Sequence, residues 1–370
     1  MYLFHSVNNV LKGFRHNLVN LLDIKQIYMY NSTMDQIDSV HVEITSRCNA
    51  KCPMCSRTNN PIILNNQSEI SYTDFVKFFP ETFIKQLKKI KFCGNYGDPA
   101  IAHDLIQIHE YVLEHNPSIM ITLSTNGGVR NTDFWEKLGN VYARTPHSFV
   151  EWHIDGLEDT NHIYRVGVQW KKLIDNARAF IKTGANAKWF FIPFFHNEHQ
   201  VETAEAMAKE IGFKDFVLKI SARFKDFNKP FTYRDENNTT KKIYPPTADR
   251  FDIDFMQHKG PLICLHKQRK EIYVDSWGRL FPCCWTASTF NKVNNWAISE
   301  NKYSISLHQR GVFEILNDPI FQNWLETMYK NDKSICHQRC TGSQVHVIEA
   351  NGIKIPQKTL WHYTEKVDHE

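Results

Sequence analysis

The chain has 370 residues, a formal net charge of +4 and a hydrophobic fraction of 42%. This length is enough for two hydrophobic cores, or for one barrel with an added module, and the composition indicates a globular protein. Lys and Arg are scattered among acidic residues and the apolar runs are short. Neither nucleic acid nor a membrane is therefore indicated as a partner.

Residues 1–37 match no recognisable pattern and are treated as an N-terminal extension. They lack the charged start, apolar middle and cleavage site of a signal peptide, so we expect a cytoplasmic location. In a reducing compartment the nine cysteines are expected to act as ligands rather than to form disulfides.

Strands and helices alternate through the next part of the chain. Apolar or alternating runs predict six strands, at residues 39–45, 90–93, 118–125, 148–155, 187–194 and 216–221. Helical patterns fall between them at residues 72–89, 101–116, 169–184 and 198–212. Thr73 and Asp74 are placed to cap the first of these helices, and Pro117 and Gly212 are placed to end two others.

This alternation predicts an α/β fold with a parallel sheet. Six strand-and-helix units are too few for a closed eight-stranded barrel, which takes about 250 residues. We therefore predict a partial (β/α)6 TIM-type barrel over residues 38–223.

Three cysteines, Cys48, Cys52 and Cys55, follow the first strand in the run ITSRCNAKCPMCSR. A structural zinc ion takes four ligands, whereas three thiolates on a 4Fe–4S cluster leave one iron open to another ligand. An open metal position indicates chemistry rather than scaffolding. The alternatives are a structural zinc loop and a redox pair formed by Cys52 and Cys55.

The C-x3-C-x2-C spacing of these cysteines resembles the signature of the radical S-adenosylmethionine (radical SAM) superfamily. The resemblance implies a (β/α)6 core and a 4Fe–4S cluster whose open iron is chelated by S-adenosylmethionine. It also implies reductive cleavage of that cofactor to a 5′-deoxyadenosyl radical, which abstracts hydrogen from a substrate. An external one-electron reductant of flavodoxin or ferredoxin type is the expected partner.

Polar and glycine-bearing runs at three further strand ends are candidate S-adenosylmethionine contacts. After the second strand, Gly94, Gly97 and Asp98 lie where the family has its GGEP motif, with Asp98 replacing the glutamate and Asn95-Tyr96 inserted. The resemblance assigns this turn to the amino group of the cofactor. An ordinary strand-to-helix turn is the alternative.

The third strand ends in STNGG, and the resemblance extends to its TNG run. Ser124 and Asn126 are suited to ribose hydroxyls or a carboxylate. His153 and Asp155, after the fourth strand, resemble the family's S-x-D-G run with histidine in the serine position. Arg165 is the candidate for the cofactor carboxylate, because guanidinium binds carboxylate through two parallel bonds. Capped turns and satisfied polar side chains are the alternatives.

After residue 224 the alternation fails, and residues 224–262 are predicted to be a linker. Residues 263–342 are predicted to form a second module, and residues 343–370 a C-terminal tail. The run EIYVDSWGRLFPCCW predicts a hairpin, and a helix is predicted around residues 319–330.

The second module resembles the SPASM or twitch domains that bind auxiliary iron-sulfur clusters, through Cys264, Gly278 and Cys283. Cys336 and Cys340 bring the cysteines to four, which is enough for one auxiliary cluster. Cys284 is an alternative to Cys283, and a zinc ribbon is an alternative to the cluster.

Three functions are consistent with these features. The first is a radical SAM enzyme that modifies a peptide or protein. The second is a radical SAM oxidoreductase that acts on a small molecule such as a sugar, a nucleotide or a cofactor precursor. The third, a non-catalytic zinc or iron-sulfur protein, would explain the cysteines but not the polar runs at three successive strand ends.

Overall fold

A computed structural model describes residues 37–340, apart from 59, 222, 225, 248–250, 252–261, 263, 291–304 and 332–333. The predicted N-terminal extension, except for Ile37, and the C-terminal tail lie outside the described residues. Within the described part of the chain, no helix has both the length and the apolar character needed to cross a bilayer.

The six predicted strands are confirmed. They are β1 Ser39–Val42, β2 Lys89–Phe92, β3 Met120–Thr125, β4 Phe149–His153, β5 Ala187–Phe191 and β6 Asp215–Leu218. Each pairs in parallel with the next, so all six carboxyl ends lie at the same edge of the sheet. The fold is a mostly parallel α/β sheet that matches the predicted partial barrel.

The predicted hairpin of the second module is also present, as β9 Glu271–Val274 and β10 Leu280–Phe281. Strand β9 pairs in parallel with β1, and Val42 lies opposite Val274. The hairpin therefore extends the barrel sheet to eight strands, in the order β10-β9-β1-β2-β3-β4-β5-β6. The domain boundary at residue 263 stays a prediction, and the sheet continues across it.

The predicted linker contains regular structure that the sequence analysis missed. Strands β7 Phe231–Arg234 and β8 Thr240–Ile243 form a separate antiparallel pair. Strand β7 alternates between partly buried and exposed residues, whereas β8 is exposed except for Ile243. A short and mostly exposed hairpin of this kind has few apolar residues, so its sequence shows no clear strand pattern.

Helices cover the outer face of the barrel strands. The helices up to β6 are α1 Pro61–Asn65, α2 Tyr72–Phe78, α3 Glu81–Gln86, α4 Leu105–His115, α5 Thr132–Tyr142, α6 Asn161–Tyr164, α7 Trp170–Lys182 and α8 Val201–Ile211. The later helices are α9 Leu265–Gln268, α10 Cys284–Phe290, α11 Val312–Leu316, α12 Pro319–Lys330 and α13 Ile335–Arg339. Helix α12 confirms the helix predicted near residue 319.

The first predicted helix, at residues 72–89, is wrong in extent. It is divided at Pro80, which stands at the N-cap of α3 and has no N–H to continue α2. Its cap is also different, because Ser71 rather than Thr73 or Asp74 occupies the N-cap and accepts from Asp74 N at 3.1 Å. Gly212 ends α8 as predicted, with φ of 100° in the left-handed region.

Successive side chains along each strand point to opposite faces of the sheet. On β4, Trp152 faces the helices, with its ring centroid 4.6 Å from that of Trp135 on α5. Glu151 and His153 point to the opposite, inner face, where Glu151 lies 3.7 Å from Lys91 of β2. The apolar core therefore lies between sheet and helices, and the inner face of the barrel is polar.

His109 on α4 is a buried histidine within this core. Its Nδ1 lies 2.7 Å from the Leu105 carbonyl, which requires Nδ1–H to donate, so Nε2 accepts from the Tyr142 hydroxyl at 3.2 Å. Burial lowers the pKa of His109 to about 4. The folded protein therefore holds this ring neutral at pH values where the unfolded chain protonates it.

We expect His109→Gln to reduce the acid sensitivity of folding. Between pH 6.5 and 4 the unfolded chain binds a proton that the folded chain excludes, so stability falls as the pH falls. From pH 7.5 to 5 this group alone should cost the wild type about 2 kcal/mol. Urea unfolding of both proteins at the two pH values measures the difference. Equal losses of stability in wild type and variant would contradict this assignment.

Candidate active site

The three amino-terminal cysteines lie on one loop after β1. Cys52 is buried, Cys48 and Cys55 are partly buried, and Cys55 N donates to the Cys52 carbonyl at 3.0 Å. Polar side chains from two other strand ends approach the same loop. Asn126 Nδ2 is 3.7 Å from Cys48 Sγ, and an Arg165 guanidinium nitrogen is 3.7 Å from Cys52 Sγ. The structure thus brings three of the predicted regions together.

The chemistry of this loop fits an iron-sulfur cluster. Burial raises the pKa of Cys48 to about 12 and raises that of Cys52, so both thiols stay neutral unless a metal replaces the proton. Arg57 Nε and Thr58 Oγ1, just after Cys55, are buried and have no hydrogen-bond partner in the described structure. Buried polar atoms of this kind usually have a partner, which a bound group would supply.

Among the described residues, no group of three or more His, Cys, Asp or Glu side chains surrounds a single point as ligands of one ion would. The thiolates of a 4Fe–4S cluster bind different iron atoms, so they do not need to converge in that way. The loop is therefore compatible with a cluster.

Asp98 joins two of the predicted cofactor-binding turns. Its carboxylate accepts from Thr125 Oγ1 at 2.9 Å, from Asn126 N at 2.7 Å and from Asn126 Nδ2 at 2.6 Å. It also accepts from Ala100 N at 3.1 Å. These bonds make Asp98 a residue that positions the glycine turn against the TNG turn. Its predicted contact with S-adenosylmethionine stays a prediction.

The glycine turn after β2 packs against the chain that leads into the cysteine loop. A Cβ atom on Gly97 would lie 1.6 Å from the Thr45 carbonyl oxygen, and one on Gly94 would lie 2.4 Å from Glu43 Oε1. Both positions therefore require glycine for close packing. The amides of Tyr96 and Gly97 donate to Glu43 Oε1 at 2.6 and 3.0 Å, so a ligand would meet the carbonyls of this turn rather than those two amides.

Arg165 is held in place by Asp155, which is fully buried. Arg165 Nε donates to Asp155 Oδ2 at 2.6 Å, and Ile192 N donates to the other carboxylate oxygen at 2.7 Å. Although burial opposes the charge, Asp155 and Cys52 raise the pKa of Arg165, so the guanidinium stays protonated beside the cysteine loop. This cation suits the carboxylate of an amino acid.

The inner face of the sheet is polar where barrels are usually filled by branched apolar side chains. Lys91 Nζ and His153 Nε2 each lie 3.7 Å from Glu151 Oε2, and Ser124 Oγ donates to the same oxygen. We call Lys91, Ser124, Glu151 and His153 the interior cluster. Two of its members, Ser124 and His153, are predicted cofactor contacts, and the structure groups them with Glu151.

Opposite charges set the protonation states in the interior cluster. Burial would raise the pKa of Glu151, but Lys91 and His153 outweigh burial and hold it well below its usual range. Burial lowers the pKa of His153, with Arg165 and Lys219 acting in the same direction. At neutral pH the cluster therefore combines a carboxylate, an ammonium group, a hydroxyl and a neutral imidazole.

Four cysteines are the predicted ligands of the auxiliary site, and α13, which contains Cys336, packs against α10, which directly follows Cys283. Burial, with smaller contributions from Cys283, Cys264 and Cys340, raises the pKa of the Cys336 thiol. Burial, with a contribution from Cys264, raises the pKa of Cys283 to about 12 and that of Cys340 to about 11. Cys284 Sγ instead lies 3.9 Å from His266 Nε2. The contact of Cys284 with His266 favours Cys283 over Cys284 as a ligand, and the ligand set stays a prediction.

Comparison with known proteins supports the same class. Residues 42–209 match the family model of the radical SAM superfamily. A GTP 3′,8-cyclase of Nautilia profundicola is 22% identical over 282 residues, which span 69% of this chain and 83% of that protein. A GTP 3′,8-cyclase of Aliarcobacter butzleri is 28% identical over 92 residues, but this match spans only 25% of this chain and 28% of that protein.

Two solved structures share the fold. Streptococcus suis SuiB bound to S-adenosylmethionine aligns with a TM-score of 0.56 at 12% identity, covering 79% of this chain and 68% of SuiB. Histidine-tagged anSMEcpe with bound AdoMet aligns with a TM-score of 0.50 at 14% identity, covering 77% of this chain and 78% of that chain.

The partial barrel, the three-cysteine loop and the match over residues 42–209 define an enzyme of the radical SAM type. The chain therefore contains a radical SAM domain, and its cofactors are a 4Fe–4S cluster and S-adenosylmethionine. Cys48, Cys52 and Cys55 are the residues that fit the cluster.

Proposed function

We propose that this radical SAM enzyme acts on a small polar molecule bound against the inner face of the barrel. The observation that carries the proposal is the interior cluster, which places charged and hydrogen-bonding groups where a purely structural barrel would have apolar side chains. A 4Fe–4S cluster held by Cys48, Cys52 and Cys55, together with S-adenosylmethionine, would supply the radical chemistry for removing a hydrogen atom from the substrate.

The residues of this chain would position the cofactor and the substrate. Arg165, oriented by Asp155, would bind the cofactor carboxylate, and Asp98 holds the two neighbouring turns in register. Lys91 and Glu151 would pair with polar groups of the substrate and fix which of its hydrogens faces the cofactor. Lys91 and Glu151 are partly buried, which limits the access of water to them.

A nucleotide is the first substrate class to test. The GTP 3′,8-cyclase matched over 83% of its length acts, by its name, on a nucleotide, and the interior cluster offers both donors and acceptors for such a ligand. Sequence analysis placed a peptide or protein first and a small molecule second. The interior cluster supports the small molecule, and the peptide becomes an outcome of the test.

We expect Lys91→Met to raise the KM for the small-molecule substrate by about 10-fold or more, since it removes a charged hydrogen bond. Substrate-independent cleavage of S-adenosylmethionine should change little. GTP is the first probe, followed by other nucleotides and sugars, with substrate-stimulated 5′-deoxyadenosine formation as the readout. Lys85→Met is the matched control, because Lys85 is an exposed lysine paired with Glu81.

Melting temperatures of both variants distinguish a lost contact from a folding defect. If Lys91→Met does not fold, Lys91→Arg is used in its place, because it retains the positive charge while changing the shape of the hydrogen-bonding group. Stimulation by a peptide, with no response to any small molecule, would contradict the proposed substrate class. An unchanged KM in folded Lys91→Met would contradict the role of the interior cluster.

We also propose that Cys264, Cys283, Cys336 and Cys340 hold one auxiliary iron-sulfur cluster. Cys283→Ala is then expected to lose about four irons per chain, because it removes one of four ligands. Cys284→Ala should retain all of its iron, since the Cys284 thiol lies toward His266. Iron, sulfide and zinc analysis after anaerobic reconstitution measures both. Stoichiometric zinc without sulfide would contradict the auxiliary cluster.

A further inference from the structure

Glu43 is a buried carboxylate that sequence analysis did not single out. It follows β1, is only 1% exposed, and its backbone N donates to the Val274 carbonyl of β9 at 2.8 Å. Its two carboxylate oxygens bind different parts of the protein. Oε1 accepts from the amides of Tyr96 and Gly97, and Oε2 accepts from the hydroxyl of Tyr273 on β9. One side chain thus connects the glycine turn to the hairpin of the second module.

Asn95 makes a second connection between the same two regions. Its Nδ2 lies 3.3 Å from the Tyr273 hydroxyl and 3.0 Å from the carbonyl of Cys284. Cys284 directly follows Cys283, a proposed auxiliary ligand. Asn95 and Tyr96 are also the two residues that this turn has inserted relative to the family's GGEP motif. The inserted Asn95 therefore provides contacts to the second module.

Holding the amides fixes the direction of the turn's carbonyls. In a planar trans peptide the N–H and the preceding C=O point in opposite directions. With the N–H groups of Tyr96 and Gly97 directed at Glu43, the carbonyls of Asn95 and Tyr96 are directed away from it. The resemblance assigns this turn to the amino group of S-adenosylmethionine, whose natural partners are carbonyl oxygens.

We infer that Glu43, Tyr273 and Asn95 form a bridge through which the auxiliary cysteine module positions the S-adenosylmethionine-binding turn. The bridge rests on the proposed auxiliary ligands but not on the identity of the substrate. The three are positioning residues, because they act on the cofactor through the backbone of the turn. When the auxiliary site is disrupted, the turn loses part of its support and the affinity for S-adenosylmethionine falls.

The first test compares Tyr273→Phe with Tyr142→Phe in the full-length chain. Both residues are buried tyrosines whose hydroxyls bond a buried titratable side chain, and Tyr142 bonds His109 away from the site. In the cluster-loaded enzyme, Tyr273→Phe should raise the Kd for S-adenosylmethionine about 10-fold, or about 1.4 kcal/mol. In the metal-free chain, the amides of residues 94–98 should exchange with solvent faster. Tyr142→Phe should change neither quantity.

Asn95→Ala provides a second variant that leaves the Tyr273 hydroxyl in place, and it should weaken cofactor binding in the same direction. Equal Kd values and equal exchange rates for Tyr273→Phe and Tyr142→Phe would overturn the inference, as would an unchanged Kd in Asn95→Ala if Tyr273→Phe does not fold.

A double-mutant cycle then tests whether the auxiliary site affects S-adenosylmethionine binding through Tyr273. Cys336→Ala should raise the Kd for S-adenosylmethionine in the wild-type background and add little when it is combined with Tyr273→Phe. Fully additive effects would overturn the bridge. These measurements are made without substrate, so their failure is distinguishable from failure of the proposed substrate class, which only the Lys91 experiment reports.

Discussion

Replacing Cys52 with alanine is expected to abolish the formation of 5′-deoxyadenosine. Cys52 is the buried member of the three-cysteine loop and lies 3.7 Å from the Arg165 guanidinium. Loss of an outer-shell partner of a metal ligand typically costs 10–100-fold in affinity or activity, so loss of a ligand itself should cost at least ~100-fold. The measurement is 5′-deoxyadenosine formed by reduced, anaerobically reconstituted protein, together with iron and sulfide content.

Cys284→Ala is the control for this experiment. It also removes a largely buried thiol, but one outside the three-cysteine loop, so it should retain cleavage and iron. Near-normal cleavage in folded Cys52→Ala would contradict the assignment of the loop as the cluster site.

A second large effect is expected from Gly97→Ala. The added Cβ would lie 1.6 Å from the Thr45 carbonyl oxygen, a backbone atom that leads into the cysteine loop, so the turn or the loop must move. We expect a loss of stability of about 1–3 kcal/mol, as for other overpacked sites. Displacement of the turn should also weaken S-adenosylmethionine binding by at least ~10-fold. Thermal melting and equilibrium binding to the cluster-loaded enzyme measure these two effects.

Gly311→Ala is the matched glycine substitution. Its added Cβ would meet nothing within 4 Å, and its φ of −68° is accessible to alanine. This variant should melt and bind like the wild type. If Gly97→Ala also bound S-adenosylmethionine with wild-type affinity, the glycine turn would not belong to the cofactor site.

The barrel could be predicted from sequence because its strands and helices have local signals. The six strands are short apolar or alternating runs, and Gly212 ends α8 with the backbone that glycine favours. The pairing of β9 with β1 had no such signal, because it joins segments more than 200 residues apart. The break at Pro80 did have a signal in the sequence, because proline has no N–H with which to continue a helix.

The cysteine loop and Arg165 could be found because their residue types and spacing are distinctive. Lys91 and Glu151 of the interior cluster were missed because they alternate with apolar residues in KIKF and FVEWH, a pattern that normally marks a solvent-facing side. In this barrel that side faces the interior. Glu43 was missed because its role depends on Tyr273, which is 230 residues away in the chain.

The most direct test of the account is to incubate the reduced, cluster-loaded wild-type protein with S-adenosylmethionine under anaerobic conditions and to measure both products. We expect 5′-deoxyadenosine and methionine in equal amounts, with neither formed by the Cys52→Ala variant. A protein that contains iron and inorganic sulfide at the three-cysteine loop, binds S-adenosylmethionine, and yet forms no 5′-deoxyadenosine would contradict it.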